Sequence, residues 1–107
     1  MQTMRDDPPR RDARAAERRV VGIRAQLREM GGGRMTVNVE DLSITGFRVE
    51  SIYRIGVGVT VFLSIPTFSA LEAIVVWTAK SGYGCQFIQP LHPAVFDVVS
   101  RRFEAHF

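Results

Sequence analysis

The chain has 107 residues, 46% of them apolar and 23% charged, with a formal net charge of +3. That is the length of one domain able to bury its own core, and the ordinary globular composition argues against wholesale disorder. No apolar run approaches the ~18–20 residues of a membrane-spanning helix, and a lone cysteine, Cys85, excludes an internal disulfide and a multi-cysteine metal site.

Residues 1–19 carry Arg5, Arg10, Arg11, Arg14, Arg18 and Arg19 beside Pro8 and Pro9, with almost nothing large and apolar. Such a segment cannot offset its ordering entropy by burial, so it reads as a flexible arm. It also lacks the apolar stretch of a secretory signal, which points to a cytoplasmic protein. Asp6, Asp7, Asp12 and Glu17 balance much of its charge, so a solvated tail is the plain alternative to a binding arm. Thirteen of the fourteen basic residues are arginine, with Lys80 the single lysine. A GC-rich genome would give that bias, but it would not cluster the arginines ahead of the domain.

The composition changes at Val20, where a domain covering 20–107 begins. Val21, Ile23, Ala25 and Leu27 alternate with polar residues, the pattern of a half-buried strand. Gly31-Gly32-Gly33 reads as a hairpin loop, and Met35 to Glu40 as the second strand. Asp41 to Gly46 forms a polar corner before a short third strand, Phe47–Glu50. The Gly56/Gly58 turn leads to a fourth strand, Val59–Ile65, stopped by Pro66. Leu71–Thr78 is the fifth strand, and a Ser81-Gly82 turn leads into the sixth, Tyr83–Ile88. The period then changes. From about His92 to Phe107, Val95, Val98, Val99 and Phe103 share one helical face, with Arg101, Arg102 and Glu104 mostly opposite. The expected fold is mainly all-β: a six-stranded antiparallel barrel, closed to remove unpaired edges and covered by a C-terminal helix.

Catalysis finds little support in these residues. His92 and His106 have no neighbouring nucleophile and carboxylate, and Cys85 alternates with Tyr83 and Phe87 as a buried thiol would. There is no P-loop, dinucleotide fingerprint or metal-spaced cluster. The chain is therefore expected not to be an enzyme and to need no cofactor or metal.

Two short patterns stand out instead. Arg14-Ala-Ala-Glu-Arg18 is an RxxxR spacing just before the first strand, and Asp41-Leu-Ser43-Ile-Thr-Gly46 is a DxSxxG turn. Taken singly, each has a bland reading: Asp41 and Ser43 can simply cap the corner through local backbone bonds. In this order, flanking strands of one sheet, they resemble the PilZ domain, the receptor module for the bacterial second messenger cyclic di-GMP. The resemblance extends over the Gly56–Pro66 stretch, Val75-Val76-Trp77 and Gly84-Cys85-Gln86-Phe87. It implies a six-stranded barrel with a terminal helix, and a signalling role in motility or exopolysaccharide control.

The chemistry of the motif fits that ligand. Guanidinium forks suit phosphates and the O6/N7 edge of guanine, roles the resemblance gives to Arg14 and Arg18. A carboxylate suits guanine's N–H donors, the role of Asp41, with Ser43 adding a hydroxyl. Gly46 would supply a positive φ or room for the ligand. Arg10-Arg11-Asp12-Ala13-Arg14 offers a second RxxxR register, which keeps Arg10 as a further candidate, and Arg19 could also meet a phosphate. Trp77 is read as core or barrel surface. Ordering of the arm on the ligand would then signal to an unidentified effector protein. The alternatives are a PilZ-like adaptor that works through protein contacts alone, or a barrel for RNA or single-stranded DNA. The nucleic-acid reading is disfavoured because the aromatics fall at core positions while the basic residues gather in the arm. No membrane insertion is expected.

Overall fold

Alternating burial from Arg19 to Glu29 produces the first strand, β1, with Val21, Ile23, Ala25 and Leu27 turned inward. The computed structural model describes residues 17–105. β1 turns through Gly31, which has a positive φ, into β2 (Arg34–Leu42), and a tight corner leads to β3 (Gly46–Glu50). β4 (Thr60–Ser64), β5 (Leu71–Ala79) and β6 (Gly82–Phe87) complete a closed antiparallel barrel in the order β1-β2-β3-β6-β5-β4. The expected six-stranded barrel is thus the observed one.

Several boundaries differ from the sequence reading. β1 starts at Arg19, inside the segment assigned to the arm, because Arg19 pairs with Leu42. β2 continues through Asp41 and Leu42, so the polar corner shrinks to Ser43–Thr45, with Leu42 fully buried. β4 loses Val59 and Ile65, and β6 ends at Phe87 rather than Ile88. The inward-facing side chains of all six strands meet in one core around Leu27, Val39, Val61, Leu63 and Ala73.

The helix, α1, spans Pro93–Arg102, and His92 caps it by accepting the Ala94 N–H on Nδ1. It is shorter than expected, ending where the Phe103 N–H bonds to the Val99 carbonyl. Its buried face is also different. Phe96, Val99 and Ser100 are buried, with Phe103 packed against the core, whereas Val95 and Val98 face water. The bulky Phe96 ring takes the inward position that helical periodicity had given to the two smaller valines. Past the helix, the chain lies beside the start of β1: the Gly22 N–H bonds to the Phe103 carbonyl, and Val21 bridges to Glu104.

Candidate ligand-binding site

The Ser43–Thr45 corner is held from within. The Ser43 N–H bonds to the Gly46 carbonyl at 2.9 Å, and its Oγ accepts the N–H groups of Thr45 and Gly46 at 3.2 and 3.1 Å. The local capping reading therefore holds for Ser43, which is buried. Gly46 opens β3 opposite Gln86. Its φ is not positive; a Cβ there would overlap the carbonyl oxygen of Cys85. The close approach that requires glycine is made by β6 itself, not by a turn conformation.

Asp41 does not cap the corner. A bulge between Val39 and Asp41 breaks the alternation of β2, so that Glu40 and Asp41 both reach Arg48 on β3. Arg48 Nε donates to Asp41 Oδ2 at 2.6 Å, and Nη1 donates to Glu40 Oε1 at 2.6 Å. The bond to Asp41 leads in raising the Arg48 pKa, against a smaller opposing effect of desolvation. A second bulge, between Val75 and Trp77 on β5, turns Val76 and Trp77 outward together. Trp77 pairs with Gly84, and any side chain at Gly84 would collide with the indole. The ring thus lies over bare backbone and remains 40% exposed.

These pieces border one open hollow of about 420 Å³, within the ~300–1,000 Å³ range of small-ligand sites. Arg18, Asp41, Ser43 and Gly46, four of the residues singled out in the sequence, line it together. Arg48, Trp77 and Gln86 line it as well. Arg48 had gone unremarked, although it stands two residues after Gly46 and faces outward; Trp77 had been given a structural place. Arg10 and Arg14 lie outside the described residues.

Arg19 is engaged elsewhere. Its guanidinium donates to Asp97 Oδ1 at 3.2 Å, Ser100 Oγ at 3.0 Å and Glu17 Oε2 at 2.9 Å, and lies over the Phe96 ring, 5.0 Å from its centroid. The bond to Glu17 leads in raising its pKa. Consecutive arginines thus serve different surfaces, Arg18 the hollow and Arg19 the helix.

The hollow combines carboxylate, guanidinium and aromatic groups. Such a set can accept the N–H donors of a base, hold its ring face and neutralise an anionic backbone. Cys85 offers no nucleophile here: burial pushes its thiol up to about 12, so it stays protonated at neutral pH. Among the described residues there is no group of three or more potential metal ligands, and no helix is long and apolar enough to cross a membrane.

Comparison with known proteins gives an independent result. The family model for the PilZ domain matches residues 10–103, which covers both sequence motifs and every element of the barrel. A search of curated proteins finds no significant match.

Proposed function

The chain belongs to the PilZ domain family, a family of cyclic di-GMP receptors, and from that membership we propose that this protein binds cyclic di-GMP in the hollow between Arg18, Asp41 and Trp77. PilZ domains are binding modules rather than catalysts. The observation that carries the reading is the meeting of the two motifs: Arg18, at the end of the arm, borders the same cavity as Asp41 and the Ser43 corner.

The assigned roles follow from chemistry. Arg18 and, through the motif, Arg14 take phosphate and the O6/N7 edge of guanine, with Arg10 as the second register. Asp41 accepts from guanine N–H groups, which adenine cannot supply in the same pattern. Arg48 holds Asp41 in place, Ser43 shapes the corner beside it, and the Trp77 indole offers a face for a base. Arg19 serves the helix instead of the ligand. Engagement of the arm changes the surface that the domain offers, and an effector protein reads that change.

Calorimetry with cyclic di-GMP tests this reading. Wild type should bind, and Arg18→Ala and Asp41→Ala should each lose about 1–3 kcal/mol of affinity while cyclic di-AMP binds far more weakly. Absence of heat up to near-millimolar nucleotide would overturn the reading and leave a PilZ domain acting through protein contacts alone.

A further inference from the structure

At the end of the barrel away from the Ser43–Thr45 corner, residues 51–59 join β3 to β4. Ile55 anchors this loop in the core, and the Ser51 N–H ties it to the Ser81 carbonyl at 2.9 Å. Three large apolar side chains nevertheless point into water. Ile52 is 91% exposed, Tyr53 is exposed next to it, and Val57 is exposed farther along the loop. Apolar surface gathered on one anchored loop is a mark of association, whereas single exposed apolar residues are commonplace.

The loop overhangs two concave surfaces. One, of about 460 Å³, is bordered by Arg24, Asn38, Glu50, Ile52 and Lys80; the other, of about 230 Å³, by Tyr53, Arg54 and Lys80. Among the described residues, Arg24, Arg54 and Lys80 have no carboxylate within ion-pair distance. Three cations therefore face one carboxylate, Glu50, around an apolar lip. An occupant must bring negative charge and an apolar side chain to the same place.

We infer that this loop and its flanking hollows form a protein-docking surface for a partner segment in which a bulky apolar residue is flanked by carboxylates. The concave shape and the amide and hydroxyl groups of Asn38, Ser51 and Ser81 suit a peptide that fills them and bonds to them. A flat anionic bilayer would leave both hollows empty. The surface is distinct from the nucleotide hollow but shares its strands: β3 runs from Gly46 to Glu50, and β5 leads from Trp77 to the Lys80 turn.

The test uses isotope-labelled full-length protein and a short synthetic peptide of leucines flanked by Asp and Glu. Its comparison probes are the same peptide with lysine for every acid, and phosphatidylglycerol vesicles. The acidic peptide should shift the amide signals of residues 51–58 and 80–81. The double variant Ile52→Asp, Lys80→Glu should weaken peptide binding about tenfold or more and leave cyclic di-GMP affinity unchanged, since both residues are exposed and outside the nucleotide hollow. The inference is overturned if the peptide does not bind, if the lysine peptide binds equally well, if the shifts fall elsewhere, or if vesicles bind through this loop and the peptide does not. A wild-type chain that binds the peptide here but not the nucleotide would overturn the ligand reading alone.

Discussion

Arg48→Ala removes two charge-assisted bonds at once. Both N–O separations are 2.6 Å, yet the environments differ: the Asp41 side chain is 17% exposed, against 36% for Glu40. The Glu40 pair is wet and worth the few tenths of a kcal/mol usual for surface ion pairs. Losing the Asp41 pair costs about 1 kcal/mol, because a half-buried carboxylate is left beside a second one with no cation between them. The sum, about 1–2 kcal/mol, corresponds to several degrees in Tm for a domain of this size. Urea melts of wild type, Arg48→Ala, Asp41→Asn and the double variant form a cycle whose coupling should be about 0.5–1.5 kcal/mol and should shrink in high salt. Affinity for cyclic di-GMP should fall in Arg48→Ala by about 1 kcal/mol, since Asp41 is no longer held in one orientation. Melts of Arg48→Ala that overlay those of wild type, or a cycle with zero coupling, would refute this account of the pair.

Gly46→Ala should destabilise the fold by at least about 1–3 kcal/mol, because its methyl group forces β3 away from the Cys85 carbonyl; a wild-type midpoint in urea would show that β6 can yield. Burial raises the Cys85 thiol from 9.0 to about 12. The unfolded chain then gives up this proton first, so stability is unaffected by the group below pH 9 and falls as pH climbs towards 12. Cys85→Ala should remove that part of the alkaline slope in pH-dependent melts, and an unchanged slope would argue against a buried neutral thiol. Trp77 is the only tryptophan, so saturation with cyclic di-GMP should alter its emission, and Trp77→Ala should lose about 1–3 kcal/mol of affinity. Emission that stays constant at saturation would place the bound base away from the ring.

The barrel was legible because the buried positions of β1 and β2 follow a strict period of two, from Val21 to Leu27 and from Val37 to Val39. The site was half legible. Residue types alone marked Arg18 and Asp41, but the outer rim of the hollow depends on two bulges, at Glu40-Asp41 and Val76-Trp77. A bulge places adjacent residues on the same side: alternation reads Glu40-Asp41 as a corner and runs through Val76-Trp77 without registering the change of side. Arg48 escaped notice for the same reason: its partners lie across a ladder whose register is set by the bulge. The helix face was misjudged because periodicity weighs a valine and a phenylalanine alike. Packing does not, and Phe96 serves both the core and the guanidinium of Arg19.

Closure of the barrel has a consequence for recognition. β4 covers only the second half of β1, and the backbone after α1 lies along the first half, through Gly22 and Phe103. Another polypeptide therefore finds both halves of β1 already covered, and recruitment by strand addition has no starting point on that strand. Along β1, what distinguishes one listener from another is left to side chains on the outside, where substitutions can rewire the conversation without disturbing the scaffold.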